Sequence, residues 1–474
     1  MLFNSIEFVL FFPIVLILYW GIFNRVSLKL RNLFLLAASY LFYGWWDYRF
    51  LGLIVLSSTG DFLFGKYIFQ AKTQQLRRNL LIVSLCINLS VLFFFKYYGF
   101  FANQLADLFQ QLGYTVHSTT LKIILPVGIS FYTFQSLSYT IDIYRRKLEP
   151  TKDPIAFFAF ISFFPQLVAG PIERAKYLLP QFSSLKKFDY SMAANGFRQL
   201  LWGLFTKIPV ADSIAPITDK IFANYETLGA GTLVLGAVLF SIQIFGDFAG
   251  YSNIAIGTAS ILGFDLMRNF NMPYFSRNIR EFWSRWHISL STWFRDYVYI
   301  PLGGNRCSKT RSSINIMATF LISGLWHGPN WTFIVWGFMH GLLYLVTNPF
   351  STKYSSDKLS LKQWPAITGT FLLVCAAFVF FRADNIHQAL GFFGRIFSFK
   401  GGGNLYELTT VTKIVPALFF SIVLFVVEWN QSEKKHGMDI VSLQPVIRHS
   451  IYYSLIFVIL FSFQSDRIFI YFQF

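Results

Sequence analysis

The sequence predicts an all-α polytopic membrane protein, and two observations carry that prediction. Of the 474 residues, 54% are hydrophobic and only 13% are charged, whereas soluble globular domains carry roughly 25% charged residues. Apolar runs of helix-spanning length recur along the chain, and the alternating segments of about ten residues that mark an outer-membrane barrel are not seen. With no fixed-period repeat and no low-complexity linker, we expect one membrane domain over residues 1–474.

The apolar runs give the candidate spans in chain order. They lie at residues 5–23, 30–46, 50–64, 80–95, 121–143, 154–168, 197–210, 228–245, 252–262, 314–326, 332–346, 367–381, 414–427 and 451–463. Several are shorter than the roughly 20 residues of a full crossing. We therefore expect about 11 to 13 true crossings together with re-entrant or partly buried helices.

The net charge of +17 is explained by membrane topology and not by nucleic-acid binding, because the basic residues are scattered over loops between the spans. One basic loop carries Arg25, Lys29 and Arg31, and a second lies at residues 66–78, two spans later. The positive-inside rule makes both loops cytoplasmic. The N-terminus is then expected on the extracytoplasmic side.

The main hydrophilic segment lies at residues 271–311, where basic residues outnumber acidic ones. Apolar side chains from Ile279 to Tyr297 recur every three or four residues, which predicts one cationic helix at the cytoplasmic interface. The turn residues of PLGGN, at 301–305, end it. Within it, Arg285 and Arg295 are either solvated charges or contacts for the phosphates of an acyl carrier.

Two histidines lie inside apolar runs near residue 330. His327 is followed by Gly328 and Pro329, which predict a broken helix, and broken backbone at membrane depth is tolerated only against protein or a water-filled cavity. Because ionisable groups inside membranes mark functional sites, we favour a functional role for His327 over simple packing. His340 is thirteen residues further on, roughly 20 Å along a helix axis. We expect it to pack or to line a separate polar region.

The remaining polar candidates carry weaker signals. His287 directly follows Trp286, and this pair either anchors the interfacial helix or has a catalytic or substrate-positioning role. Asp247 and Asp61 lie in or at the end of apolar spans, and we expect both to have structural roles.

Sequence motifs narrow the class further. The cysteines show no paired or metal-type spacing and are expected to be inert: Cys86, Cys307 and Cys375. Zinc-protease, Walker, serine-hydrolase and dinucleotide motifs are not found in a credible context, and no metal site is predicted.

Longer stretches spread over almost the whole chain carry a family resemblance. They are MLFNSIEFVLFF at the start, SYLFYGWW at 39–46, ILPVGISFYTFQSLSYTID at 124–142, FFPQLVAGPIER at 163–174, GDFAGYSNIAIG at 246–257, FWSRWHISLSTWFRDYVYIPLGGNR at 282–306, GLWHGPNWTFIVWGFMHG at 324–341 and FFRADN at 380–385. Together they resemble the membrane-bound O-acyltransferase (MBOAT) family, and within it the bacterial branch that acetylates alginate and peptidoglycan.

The resemblance implies a ring of tilted helices around a funnel through a locally thin bacterial inner membrane. It implies that His327, in the WHG motif, is the catalytic residue at the constriction and that His287, in RWH, is the second family histidine. It further implies that acetyl-CoA is the cytosolic donor substrate, with no tightly bound cofactor. An extracytoplasmic partner of the SGNH-hydrolase type would then deliver the acetyl group to a secreted polysaccharide.

The chemistry of acyl transfer fits these residues. Moving an acyl group from a thioester to a hydroxyl needs a base with a pKa near neutrality, which a histidine in a partly desolvated tunnel provides. Asn330 or Trp326 is a candidate donor to the oxyanion, and we count Trp286 with Arg285 and Arg295 among the substrate-binding candidates. A covalent acetyl-histidine is a variant of the same mechanism.

Three alternatives remain open at this point. The same fold could acetylate peptidoglycan or export D-alanine from a carrier protein, although the alginate-type start argues against D-alanine export. A secondary transporter or flippase is a different class, and such folds usually carry paired half-repeats, of which we find none.

Overall fold

The computed structural model describes residues 1–114, 121, 123–348, 360–399, 401–464 and 469–470. Residue 122, within the predicted span 121–143, lies outside the described residues. The elements of this described part are helices, and its β-type pairing is limited to an isolated parallel bridge between Leu228 and Gly403. The all-α class is therefore confirmed.

The described chain divides into two compact units, of which the first comprises Met1–Ala193 and Thr258–Met267. Its α-helices are α1 Ile6–Leu18, α2 Asn24–Val26, α3 Leu28–Asp47, α4 Leu51–Gln70, α5 Gln74–Lys96, α6 Tyr98–Gln111, α7 Ile129–Tyr144, α8 Pro154–Ser162, α9 Phe164–Leu167 and α10 Ala175–Leu178. A π-helical turn at Tyr19–Phe23 follows α1, and short 3-10 turns lie at Tyr48–Phe50 and Leu179–Phe182.

The second unit comprises Ala194–Gly257 and the described part of Arg268–Phe474. Its α-helices are α11 Tyr190–Phe205, α12 Ser213–Ala223, α13 Ala230–Ile261, α14 Ile279–Arg285, α15 Ile288–Phe294, α16 Lys309–His327, α17 Trp331–Thr347, α18 Trp364–Arg382, α19 Ile386–Phe397, α20 Leu405–Leu408, α21 Val411–Asn430 and α22 Pro445–Ser462. The first residues of α11 and the last of α13 belong to the first unit. The single domain expected over residues 1–474 stays a prediction.

Eight helical segments among the described residues are long and apolar enough to cross a membrane. They are Ile6–Val26, Leu28–Gln70, Gln74–Lys96, Tyr190–Ala223, Ala230–Ile261, Trp364–Arg382, Val411–Asn430 and Pro445–Ser462, and the shorter apolar helix Trp331–Thr347 adds to them. The chain is thus a multi-pass membrane protein. The count of 11 to 13 crossings and the ring around a funnel stay predictions.

The two spans predicted at 228–245 and 252–262 are wrong as separate helices, because α13 continues through the glycines between them. Those glycines provide close packing and not a break. A Cβ at Gly250 would lie 2.8 Å from the Gly203 carbonyl oxygen, and a Cβ at Gly203 would lie 2.6 Å from that of Gly250. The backbones of α11 and α13 therefore approach more closely than larger residues would allow.

Two other predicted spans begin or break differently in the structure. The helix predicted from residue 121 begins only at Ile129, after Gly128 adopts a positive φ of 76°. The span predicted at 154–168 is split into α8 and α9 at Phe163. The amphipathic helices α6, α12 and α19 lie outside the predicted spans, because their sequences contain no long continuous apolar run.

Candidate active site

His327 is the last residue of α16, and the helix break predicted after it is confirmed. Gly328 is extended, with φ −172° and ψ 161°. The next helix starts at Trp331, where the Asn330 side chain accepts a hydrogen bond from the Thr332 backbone N–H at 3.0 Å. A side chain at Gly328 would collide with the Phe333 ring. The hairpin of α16 and α17 thus holds the imidazole at a fixed helix end.

Aromatic rings surround the His327 imidazole edge-on. Their centroids lie 5.0 Å away for Trp326, 4.9 Å for Trp336 and 5.2 Å for Phe381, with interplanar angles of 75° to 83°. The side chain is 4% exposed. We call these three rings the aromatic collar. The collar fixes the orientation of His327 and keeps most water away from it.

His340 lies on α17 and also contacts Trp336, with ring centroids 4.8 Å apart. The separation of roughly 20 Å expected between the two histidines is therefore wrong, because α16 and α17 fold back on each other and both imidazoles reach the same indole. His340 is fully buried, and neither ring nitrogen has a hydrogen-bond partner among the described residues. Its ring packs against Trp283 at 5.0 Å, which fits the packing role predicted for it.

His287 lies between α14 and α15 with a positive φ of 41°. The single interfacial helix predicted over this stretch is wrong, because the chain turns at this residue. A non-glycine residue in the left-handed region costs about 1 kcal/mol or more. The turn is held on its C-terminal side by Asn269, whose backbone oxygen accepts from the Ile288 N–H at 2.8 Å and whose side-chain oxygen accepts from the Ser289 hydroxyl at 2.9 Å.

The turn directs the His287 imidazole into the interior. Its ring lies 4.6 Å edge-on from Phe248 and 6.2 Å from Trp326, so that Trp326 contacts both His287 and His327. Burial lowers the pKa of the His287 imidazole to about 3, so the ring is neutral at physiological pH. Neither ring nitrogen has a hydrogen-bond partner within the described parts of the chain. The structure thus brings His287, Trp326 and His327 together, as the two family motifs imply.

Trp286 and Asn330, also predicted as site residues, contact neighbouring parts of the second unit. Trp286 is 2% exposed and packs on Phe270 at 5.1 Å and Phe378 at 5.3 Å, so it belongs to the core. The Asn330 Nδ2 donates to the Asp384 carbonyl oxygen at 2.8 Å while its oxygen begins α17.

Arg285 is buried and therefore is not a solvated charge or an open phosphate contact. Its guanidinium donates to Glu281 Oε1 at 2.9 Å, and Arg277 pairs with the same carboxylate at 2.5 Å. Burial alone would raise the pKa of Glu281, but the hydrogen bonds from Arg277 and the charge of Arg285 hold it below its usual value. The three side chains form a buried ionic group inside the second unit.

A cavity of about 450 Å³ opens beside this region. It is lined by Arg280, Trp283, Ser284, Ile288, Leu290, Ser291, Thr292, Phe294, Arg295, Tyr299, Ile316, Thr319, Phe320, Ser323 and Tyr344. Trp283 also contacts His340, and Ser323 is four residues before His327, on the same face of α16. The cavity therefore reaches toward the histidine region from its cationic mouth.

Two arginines define that mouth. Arg295 was predicted, is 58% exposed and pairs with the adjacent Asp296 at 2.8 Å. Arg280 was missed by the sequence analysis, although it is exposed and forms no ion pair with another described residue. The available signal was its spacing from Trp283 and Ser284, three and four residues further on, because residues at that spacing share a helix face and both also line the cavity.

Behind Phe248, a buried ionic group ties two distant parts of the second unit. The Lys207 Nζ lies 2.7 Å from Asp212 and 2.5 Å from Asp247. The second oxygen of Asp247 accepts from the Ile470 backbone N–H at 2.6 Å, and the Phe469 ring packs on Phe248 at 5.9 Å. The structural role predicted for Asp247 is therefore confirmed.

Comparison with known proteins identifies the class of this site. The sequence profile of the membrane-bound O-acyltransferase family matches residues 147–383. The chain is 40% identical over 437 residues to a protein named probable alginate O-acetylase AlgI of Azotobacter vinelandii, which covers 90% of this chain and 84% of the relative.

The chain belongs to the membrane-bound O-acyltransferase family. It is an acyltransferase of that family. It is also 35% identical over 385 residues to the peptidoglycan O-acetyltransferase of Helicobacter pylori, covering 76% of this chain and 72% of the relative. The teichoic acid D-alanyltransferase of Bacillus subtilis is 30% identical over 289 residues, with 57% of this chain and 72% of the relative covered. In this family member, the histidines of the WHG and RWH motifs lie at one site, and the proposal for its function starts from that site.

Proposed function

We propose that this chain is a membrane O-acetyltransferase that takes acetyl groups from cytosolic acetyl-CoA for O-acetylation of a secreted, alginate-like polysaccharide. The observation that carries the proposal is His327, which ends α16 inside the aromatic collar, one helical turn after Ser323 in the lining of the cavity with the cationic mouth. The alginate O-acetylase relative supports the acceptor class, because it matches along most of both chains.

In this mechanism His327 acts as the general base. It takes the proton of the acceptor hydroxyl as the oxygen attacks the thioester carbonyl, and it returns the proton to the departing thiolate of CoA, so that protons balance. Low exposure within the collar strengthens these interactions relative to water. The Trp326 indole, between His327 and His287, is the better-positioned candidate for the oxyanion donor, because the Asn330 amide is engaged at both ends.

The donor site in this proposal is the cavity at Arg280 and Arg295. Phosphate groups of acetyl-CoA are anionic, and guanidinium groups bind phosphates in bidentate geometry. Arg280 replaces Arg285 in this role, since Arg285 is committed to Glu281. Acetyl-CoA is thus proposed as a substrate and not as a resident cofactor.

The proposal also includes location and partner. The proposal places the protein in the bacterial inner membrane with its N-terminus outside, because exposed basic residues such as Arg25, Lys29, Lys72 and Arg78 flank the turns before α3 and α5. Arg31, counted with the first group in the sequence, is instead buried on α3 and donates to the Phe182 carbonyl oxygen. The acetyl group would pass to an extracytoplasmic partner of the SGNH-hydrolase type, because the polyanionic donor cannot cross the bilayer while the polysaccharide is outside.

The first test replaces His327 with alanine. We expect His327→Ala to lower acetyl transfer from labelled acetyl-CoA by roughly 10² to 10⁴-fold, the usual contribution of a general base, with normal insertion and melting temperature. The assay uses the purified chain in proteoliposomes with an acceptor on the opposite side. His449→Ala, at an exposed histidine on α22, is the matched control and should retain activity. Wild-type rates in His327→Ala would contradict the assignment.

A further inference from the structure

A carboxyl group lies in a membrane-spanning segment of the first unit, away from the histidines. Asp61 is on α4, within the segment Leu28–Gln70, and is 1% exposed. Its interactions among the described residues are with neutral side chains only. An ionised carboxylate without a positive partner is costly in such surroundings, and ionisable groups at membrane depth are functional-site candidates.

One oxygen of Asp61 is well satisfied. Its Oδ1 accepts hydrogen bonds from the Asn88 Nδ2 at 2.8 Å and from the Ser84 hydroxyl at 3.2 Å, both on α5. The Ser57 hydroxyl in turn donates to the Asn88 Oδ1 at 3.2 Å. These contacts fix the plane of the Asp61 carboxyl group. They engage Oδ1 only, so Oδ2 is not held by α5.

The second oxygen belongs to a group of buried oxygens that lack partners. Asp61 Oδ2, Ser58 Oγ and Ser136 Oγ have no hydrogen-bond partner among the described residues. Ser58 is 1% exposed and Ser136 is fully buried. Ser58 is three residues before Asp61 on the same helical face. The Ser136 hydroxyl of α7 approaches the carboxyl group as a weak hydrogen-bond donor, outside the geometry of a normal hydrogen bond. The set is rich in acceptors and lacks a positive charge.

We propose that Asp61, Ser58 and Ser136 form an intramembrane site for a monovalent cation, either Na⁺ or a proton. Oxygen donors alone favour hard cations. One carboxylate neutralises a single positive charge, whereas divalent sites use several carboxylates or phosphates. The site lies in the first unit and is independent of the acyl-transfer chemistry proposed above.

Within the described parts of the chain, one further ionisable group interacts with Asp61. The α5 residues that face it are Ser84 and Asn88, and α8 has no ionisable side chain. On α7, the Tyr139 hydroxyl interacts with the carboxyl charge. Tyr139 reaches this position because α4 has Gly65 there, where a Cβ would lie 2.6 Å from the Tyr139 ring.

The test measures thermal stability and infrared absorption of the full-length chain in detergent. Choline chloride is replaced stepwise by NaCl at constant ionic strength, for wild type, Asp61→Asn and the matched control Asp107→Asn. Asp107 is an exposed carboxylate on α6. If Na⁺ is the ligand, the melting temperature of wild type and Asp107→Asn rises saturably by about 3 °C or more, and that of Asp61→Asn does not respond.

If a proton is the ligand, Na⁺ has no effect, and a carbonyl band of a protonated carboxylic acid disappears in Asp61→Asn alone. If Asp61→Asn does not fold, Ser136→Ala replaces it in the test. For a Na⁺ site, the rise in the melting temperature of Ser136→Ala with NaCl should be smaller than that of wild type. For a proton site, the carbonyl band of the protonated acid should shift in Ser136→Ala. A wild-type protein that does not respond to Na⁺, together with an Asp61→Asn protein that loses no protonated-acid band, would overturn the proposal.

Discussion

Glu281 receives one arginine from α14 itself and one from the residues just before it. Glu281 and Arg285 lie four apart on α14 and are neighbours on that helix. Arg277 precedes the extended N-cap residue Asn278, and its guanidinium reaches back to the same carboxylate. The spacing was visible in the sequence, so the pairing of Glu281 with Arg285 could have been predicted, whereas the burial of Arg285 depends on tertiary packing. Arg280, one residue before Glu281, is exposed and lines the cavity together with Trp283 and Ser284.

Substitutions at these arginines should therefore separate binding from stability. Arg280→Gln combined with Arg295→Gln should weaken acetyl-CoA binding, and the loss should shrink as salt rises because exposed charges are screened. Arg285→Gln should instead lower the free energy of unfolding by about 3 kcal/mol, since it leaves Glu281 short of a buried partner. Calorimetric titration and thermal unfolding measure the two effects.

The control for this pair is Arg306→Gln, at an exposed arginine outside the cavity lining. It should change neither quantity. If wild type and the Arg280→Gln, Arg295→Gln protein bind acetyl-CoA with equal affinity, the cavity is not the donor site.

The two histidines differ in how far the sequence predicts them. The position of His327 could be predicted, because Gly328 and Pro329 indicate the end of a helix within an apolar run. The conformation of His287 could not, because nothing in the residues around it requires a positive φ. The turn there depends on Asn269, about twenty residues earlier in the chain, and such tertiary hydrogen bonds leave no local pattern.

At the level of elements, the hairpin of α16 and α17 sets the relation between His327 and Trp336. The helices cross at Gly324 and Gly337, whose added Cβ atoms would collide with the carbonyl oxygens of Phe333 and Phe320 respectively. Small residues at a crossing let backbones approach closely in membranes. The aromatic collar depends on this close crossing, because Trp336 is one residue before Gly337.

Widening the crossing should disturb catalysis together with stability. We expect Gly324→Ala to destabilise the protein by about 1–3 kcal/mol, the usual cost of overpacking, and to lower the turnover rate by moving Trp336 away from His327. Gly369→Ala on α18 is the matched control, because a Cβ there meets nothing within 4 Å. Thermal unfolding and acetyl-transfer rates measure both effects. An active, stable Gly324→Ala protein would show that the collar tolerates a wider crossing.

The sequence predicts which long apolar runs form helices, but it does not predict where a glycine interrupts a helix. A glycine between two apolar runs indicates a break or a close helix contact equally well. In α13 it means a contact, at Gly250, whereas before α7 it means a turn, at Gly128. The difference lies in the partner helix, which a single sequence does not contain.

At the scale of the whole molecule, the basic loops predict which side faces the cytoplasm. Lys72 lies exposed in the turn between α4 and α5, and Asp107 lies exposed on α6, one span later. A cysteine at position 72 should resist an impermeant thiol reagent in intact cells, whereas one at position 107 should react.

The labelling needs a background without accessible native thiols, so Cys86 and Cys307, which are exposed, are first replaced by serine. Permeabilised cells provide the control in which both positions should react. Labelling at position 72 but not at 107 in intact cells would reverse the proposed donor side.

The hydrogen bond between Asp247 and Ile470 joins residues 223 positions apart. A ribosome that adds about 5–20 residues per second needs on the order of 10 to 45 s to produce the second partner after the first. During that interval α13 is already made, while the Phe248 surface that contacts His287 still lacks the Phe469 ring that covers it. Each new molecule therefore spends that interval with the surroundings of His287 unfinished, and a pause in translation between the two segments would prolong it.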